Sequence, residues 1–291
     1  MLSQTECDEI AQHFFNLPFS VKHKTNHFDF ELPERPRLFV KYGSDDLLAQ
    51  ASTQSFFHAL AQKDISAPGI PAVYNAFCKD GYCFLVMENV GLPTLEACDP
   101  DAVKFVAPAV KWLLDQMSSV PSSLFGRISD TKACVWHPFF KDHEAPVAFV
   151  NSEAVNKYTN KVRISPLTDF MAHYRIMSLP QALSYCRGGR TPILLSSELS
   201  ICHSDIREDN FLLDVTTGRI WIVDFEHVCV FPVPFQQYGF FNIGSPLASE
   251  VGKYLGYKEP DIVEAMDRAS CVLQQIGIGD LGNYSSSFIG T

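Results

Sequence analysis

The chain has no glycine before Gly43. That excludes a glycine-rich loop near its start, where missing Cβ atoms let backbone N–H groups close on a phosphate. It has no apolar run near the roughly 20 residues a membrane span needs. It has no Cys-x-x-Cys, and its nine cysteines are scattered and odd in number. They read as reduced thiols of an intracellular, cytoplasmic protein. Basic residues are few, 23 against 33 acidic ones, for a net charge of −10. That balance disfavours nucleic acid and anionic membrane surfaces as partners. The opening MLSQTECDEI has neither a basic flank nor an apolar core, so no signal peptide is expected there. Internal repeats and low-complexity segments are absent. What remains is 291 residues, 46% hydrophobic and 19% charged. That is ordinary globular composition, long enough for one large domain or two lobes.

The most informative stretch is Ile201 to Pro232. It carries two polar clusters, His203-Ser204-Asp205-Ile206-Arg207-Glu208-Asp209-Asn210 and Asp224-Phe225-Glu226. Between them lie the apolar runs Phe211-Leu212-Leu213 and Ile220-Trp221-Ile222-Val223, separated by Asp214-Val215-Thr216-Thr217-Gly218. Short apolar runs bounded by turn residues predict a β-hairpin. A hairpin brings its two outer ends together, here Asn210 and Asp224. An amide oxygen beside a carboxylate is a hard-oxygen site suited to Mg²⁺. Asp205, five residues before Asn210, enters the same hairpin and can face the same point. One group to orient a hydroxyl and two to hold metal is the set that phosphoryl transfer needs.

His-x-Asp-x-x-x-x-Asn, a hairpin and then Asp-Phe match the catalytic loop and metal aspartate of protein kinases. Glu226 stands where those enzymes carry glycine, and Ser204 where they carry arginine. With these departures the stretch resembles the aminoglycoside phosphotransferase and choline-kinase-like family of small-molecule kinases. A fungal group of that family is especially similar through VDFEHVCVFPVPF. The resemblance covers roughly Phe28 to Tyr254 and implies a bilobal, protein-kinase-like α+β fold. A small antiparallel-sheet lobe would span 1–90, and a mostly helical lobe with the catalytic hairpin 91–291. The cofactors implied are ATP and Mg²⁺.

The same resemblance assigns roles. Lys41 ends the apolar strand Leu38-Phe39-Val40, as the lysine of Val-Ala-Ile-Lys does, and would bind the α/β-phosphates. Gln50 (or Gln54) stands on the next helix where family members carry the glutamate that pairs with this lysine. Glu88 and Val90, in LVMENVGLPTL, match the hinge whose backbone meets adenine. Asp205 would take or orient the acceptor proton, Asn210 and Asp224 would hold metal, and His203 would be structural. Glu226 and Asp209 could assist metal or substrate. In place of the glycine loop stands His23-Lys24-Thr25-Asn26-His27, where Asn26 could supply a positive φ. No long activation loop follows Asp224, which argues against a protein substrate.

The remaining elements follow from pattern. Thr5–Phe15 reads as an amphipathic helix capped by Thr5. Strands are expected over Phe28–Leu32 and Leu38–Tyr42, joined by the turn Pro33–Pro36. A helix is expected over Asp46–Lys63, then a rigid turn at Ala67–Pro71 and a hairpin over Val73–Phe77 and Tyr82–Met87. Asp99–Ser119 reads as a helix interrupted at Pro108. Trp136, Phe139, Phe140 and Phe149 are either pocket lining or, with better odds, loop core. Further helices are expected over Glu153–Lys161, Ser165–Met177 (with Asp169 and Tyr174 as substrate candidates), Ser245–Tyr254 and Pro260–Ile276. Arg187–Arg190 reads as a surface turn and the C-terminal GIGDLGNYSSSFIGT as a loose cap. The expected activity is transfer of a phosphoryl group from ATP to a hydroxyl of a small molecule, the acceptor shaped by 121–177. The alternatives are a catalytically impaired protein that keeps the fold for binding, and ATP-fuelled chemistry such as nucleotidyl transfer.

Overall fold

The computed structural model describes residues 1–33, 35–95, 102–129, 134–164, 195–242, 244–258 and 261–276. The expected helix over Ser165–Met177, the Arg187–Arg190 turn, the helix start at Asp99-Pro100 and the C-terminal cap lie outside them. Two compact units form, one from Met1–Leu113, Ile128–Ala133 and Glu208–Glu226, the other from Leu114–Arg127, Cys134–Arg207 and His227–Thr291.

The first unit is built on a four-stranded antiparallel sheet in the order β1-β2-β4-β3. Its strands are β1 (His27–Phe30), β2 (Leu38–Gly43), β3 (Val73–Lys79) and β4 (Tyr82–Glu88). Before it come α1 (Gln4–Asn16) and the single turn α2 (Phe19–Lys22). The N-cap of α1 is Ser3 rather than Thr5. Ser3 and Glu6 form a reciprocal capping box, satisfying two of the N–H groups that a helix start leaves open. The sheet has an apolar layer on each face. Phe14 and Ile10 of α1 pack with Phe28, Val40, Phe84 and Val86 on one side. Leu47 and Ala51 of α3 (Asp46–Ala61) pack with Leu85 and Met87 on the other. The β3–β4 turn is Asp80-Gly81, both at positive φ (49° and 83°), the geometry that a two-residue hairpin requires.

At facing positions of that hairpin Cys78 and Cys83 form a disulfide. This corrects the expectation that every cysteine is a reduced thiol. Spacing gave no hint, because the pairing depends on cross-strand register. A second correction concerns Asn26, whose φ is not positive. Its segment is held instead by Tyr42, whose hydroxyl donates to the Thr25 carbonyl at 2.6 Å.

The predicted catalytic hairpin forms as β6 (Phe211–Asp214) and β7 (Arg219–Ile222). Asp214 closes its turn by accepting from the Thr216 amide (2.9 Å) and the Thr216 and Thr217 hydroxyls. Those donors pull its carboxyl down to about 2. Both hairpin edges are covered. Gly69 N–H donates to Ile220 O (2.8 Å) and Ile222 N–H to Gly69 O (2.9 Å). On the other edge Leu95 N–H donates to Phe211 O and Leu213 N–H to Pro93 O. The Ala67–Pro71 stretch is therefore an extended strap on β7, and Gly69 is required there. A Cβ at that position would overlap the Trp221 indole.

Helix α4 (Ala102–Asp115) keeps Pro108 inside it, on an exposed position, and a 3₁₀ turn (Gln116–Ser119) follows. The second unit holds β5 (Leu199–His203) paired antiparallel with β8 (Val228–Pro232). Around them lie α5 (Ser152–Ile164), α6 (Val233–Phe241), α7 (Pro246–Tyr254) and α8 (Asp261–Ile276). Its core gathers Phe139, Phe140, Phe149, Phe231, Phe235 and Tyr238. The aromatic run before Val150 is thus core packing, while Trp136 stays outside the buried set. The expected α+β make-up, an antiparallel sheet first and mostly helices later, is what the structure shows.

Candidate active site

In the first unit the hairpin register places two of the expected metal residues. Phe211 faces Ile222, and the next residues outward are tied by Val223 N–H donating to Asn210 O at 3.0 Å. Asn210 and Asp224 therefore flank the open end of the hairpin, as the sequence pattern requires. Asn210 ends a 3₁₀ turn (Glu208–Asn210) and is buried, while Asp209 in the same turn is exposed.

Asp224 adopts φ 64°, a left-handed conformation uncommon for a residue with a side chain. Such a conformation persists only where its surroundings impose it. Phe225, fully buried, stacks on Phe57 of α3 at 5.8 Å between ring centroids. Gln50, also on α3 and fully buried, donates from Nε2 to Asp224 Oδ1 at 3.0 Å. Lys41 Nζ lies 2.9 Å from Asp224 Oδ2 and 3.8 Å from Glu226 Oε2. The lysine side chain is almost wholly buried (8% exposed), whereas the Asp224 and Glu226 side chains are 25% and 30% exposed. One buried cation thus faces two partly open carboxylates.

Lys41, Gln50, Asp224 and Glu226 come together, and the partnership expected for Gln50 changes. Gln50 holds the aspartate and makes no hydrogen bond to the lysine. Gln54, the other candidate, donates instead to Pro71 O (2.8 Å). Glu88 closes the sheet. Its N–H donates to Ala72 O, and its carboxylate accepts from Ala72 N–H at 3.1 Å. Of the two expected hinge residues, Glu88 thus has its N–H used within the sheet, and Val90 follows the end of β4.

Mg²⁺ is ordinarily held by one or two carboxylates together with substrate phosphates, without an all-protein cage. Among the described residues no cluster of three His, Cys, Asp or Glu has metal-binding geometry. Asp224 and Glu226, partly open and beside an amide at Asn210, fit the sparse arrangement. Lys41 puts a buried cation beside both carboxylates.

The second unit carries the remaining residues. Asp205 follows β5 in an open loop, its side chain 18% exposed, with Arg207 Nε at 3.0 Å from Oδ1. His203 is fully buried at the end of β5, opposite Val228. Its backbone is clamped on both sides by Gln236, which accepts from His203 N–H at 2.6 Å and donates to His203 O at 3.4 Å. Ser245 caps α7 through the Ala248 amide and donates to Ile206 O at 2.9 Å. Sequence reasoning missed Gln236 and Ser245. The one available signal was a glutamine pair inside the otherwise apolar VPFQQYGFF. Asp169 and Tyr174 lie outside the described residues.

No family model matches the sequence, and no curated protein matches it. Solved structures similar to this chain include a thermostable mutant of an aminoglycoside phosphotransferase in ternary complex with ADP and hygromycin B. It is 10% identical, covering 86% of this chain and 84% of that one, with a TM-score of 0.49. A spectinomycin phosphotransferase in complex with ADP and spectinomycin is 15% identical, covering 87% and 78%, with a TM-score of 0.45. A putative fructosamine-3-kinase from Haemophilus somnus is 12% identical, covering 86% and 89%, with a TM-score of 0.46.

Proposed function

We propose that this chain is an ATP- and Mg²⁺-dependent phosphotransferase that phosphorylates a hydroxyl of a small molecule. The observation that carries the reading is the Lys41–Asp224 pair at 2.9 Å, at the open end of a hairpin that Asn210 also flanks. A buried lysine against a metal-type aspartate has a plain use where a polyphosphate and its cation must be held together.

The roles follow. Lys41 binds the α/β-phosphates, and Asn210 and Asp224 hold the metal, with Glu226 beside them. Mg²⁺, when bound, neutralises charge that develops on the β/γ oxygens. Asp205 accepts or orients the acceptor hydroxyl proton. Val90 N–H is the backbone contact for adenine, and residues 1–90 are the nucleotide half of the molecule. The acceptor is a small alcohol, and its pocket belongs to residues 91–291. The residue set fits the aminoglycoside phosphotransferase and choline-kinase-like family that the sequence resembles. The cytoplasm, where ATP is held, is the proposed place of work, without nucleic acid or membrane as partner. Among the described residues no helix is long and apolar enough to cross a membrane.

One observation favours a second reading, a binding protein without turnover. The segment in place of a phosphate loop has no glycine and is pinned through Tyr42. Thermal unfolding with and without Mg²⁺-ATP, with Asp224→Ala as control, tests both. Ligand that binds only the native state stabilises it by about 2.7 kcal/mol at a hundredfold excess over Kd. The expected result is a metal-dependent rise in Tm that Asp224→Ala loses, followed by phosphorylated product in an acceptor screen. Absence of any shift at millimolar ATP overturns the phosphotransferase reading. A shift without product from any acceptor favours the binding protein. A product heavier by a nucleotidyl group points to the other ATP chemistry.

A further inference from the structure

Gln50 stands where the sequence resemblance puts a glutamate that would pair with Lys41. In the structure it does something else. Its Nε2 donates to Asp224 Oδ1 at 3.0 Å, while Lys41 takes the other oxygen, Oδ2, at 2.9 Å. Each oxygen of the carboxylate has its own partner, and the two partners come from different elements, α3 and β2. The amide orientation follows from chemistry, since an ionised carboxylate only accepts and so must face the NH₂ end. That leaves Gln50 Oε1 fully buried without a hydrogen-bond partner among the described residues. An orphaned buried acceptor is destabilising. A glutamine retained only for packing has no reason to accept that cost.

From this we infer that Gln50 is a positioning residue for Asp224, fixing the rotation of its carboxylate for the metal, and that it is not a weakened tether for Lys41. The inference rests on the proposed metal role of Asp224. The rigidity is available. Gln50 is fully buried on α3, and Phe57 of the same helix stacks on Phe225, the neighbour of Asp224. Asp224 itself sits at φ 64°. The helix therefore holds the Asp-Phe pair at two points. The neutral amide is also the right chemistry. A carboxylate at position 50 would stand against Asp224 as a like charge and would supply no donor.

The two accounts of Gln50 predict opposite signs for one substitution. If Gln50 were a weakened lysine tether, Gln50→Glu would restore the ion pair and tighten Mg²⁺-ATP binding. If it positions Asp224, Gln50→Glu repels the carboxylate and weakens it. The experiment is a Mg²⁺ titration at fixed ATP, read as the Tm rise over each protein's own ligand-free value, for wild type, Gln50→Glu and Gln50→Met. Gln50→Met fills the same volume without the donor, so the result survives if the charged variant folds poorly. Partners of a metal ligand typically set metal affinity by about 10- to 100-fold. The expected result is that both variants need about 10- to 100-fold more Mg²⁺, while metal-free ATP binding is unchanged. Equal or tighter binding by Gln50→Glu overturns the inference and leaves the phosphotransferase reading standing. No metal-dependent shift in the wild type overturns that reading, and the positioning role with it.

Discussion

Lys41 Nζ lies 2.9 Å from Asp224 Oδ2, although the two residues belong to distant parts of the chain. In this arrangement the cation proposed for phosphate neutralises the carboxylate proposed for metal. Each keeps the other's charge compensated until a ligand of mixed charge replaces the contact. Lys41→Met should then cost twice. Asp224 would lose the cation on Oδ2 while keeping the Gln50 amide on Oδ1, and unfolding free energy should fall by about 1–3 kcal/mol. Turnover should fall by about a hundredfold or more. Chemical denaturation and a steady-state assay check the two effects separately.

Asp205→Ala should remove turnover while leaving Mg²⁺-ATP binding near the wild-type value. A positioned base contributes about 10²–10⁴-fold, and its loss should appear in kcat with the nucleotide Kd within about threefold. Isothermal titration beside the kinetic assay decides. Parallel loss of binding and turnover would remove Asp205 from the acceptor role.

Gly69→Ala should destabilise the first unit by about 1–3 kcal/mol, the usual range for overpacking. The added methyl meets the Trp221 ring on a strap that is hydrogen-bonded to β7 on both sides. Trp221→Leu should relieve much of that penalty in the double variant. A double-mutant cycle in urea measures the coupling, and simple additivity would contradict the packing account.

The buried His137 predicts an acid-side loss of stability. Burial first, and then the nearby His227 and His143, hold its pKa at about 3. The ring is also committed as a neutral species, accepting from Phe139 N–H at Nδ1 and bonded at Nε2 to Phe235 O. The folded value lies below the unfolded one, near 6.5. The unfolded chain therefore binds the extra proton first. The stabilisation is complete above pH 6.5 and is lost as pH falls from there toward 3. The slope attributable to this group is about 1.4 kcal/mol per pH unit. His137→Gln lacks the group, so that slope should appear in the wild-type-minus-variant difference in unfolding free energy between pH 6.5 and 3, whatever the variant's own stability.

The Cys78–Cys83 disulfide predicts a mass signature. Alkylation of the unfolded protein without reductant should spare these two thiols, and prior reduction should expose both. Peptide mapping locates the protected pair. Full alkylation without reductant would return these cysteines to the reduced state that scattered spacing suggests.

The neighbourhood of Asn210 and Asp224 was legible because both bound one short hairpin, whose apolar runs and turn chemistry are local properties. The Asp214 side chain closing the turn shows how far neighbours decide that element. Lys41 could be singled out as a charge ending an apolar strand. Strands β5 and β8 were harder to see. They pair edge to edge, and VCVFP is buried at every position, so no alternation marks it as a strand. Position along the chain said nothing of Gln236, whose importance comes from reaching the backbone of a residue in another element.

By itself the sequence determined what depends on neighbours in the chain: the β6–β7 hairpin, the α1 and α3 helices, the β3–β4 turn and the polar residues that bound that hairpin. Tertiary structure decided which of those residues answer one another. Gln50 turned to Asp224, where sequence reasoning paired it with Lys41. Lys41 took both carboxylates, Glu88 joined the sheet, and Cys78 met Cys83. The reason is physical. A backbone pattern repeats every two or 3.6 residues and can be read from a window. A side chain's partner is set by the register and packing of elements distant in the chain, and no window contains them.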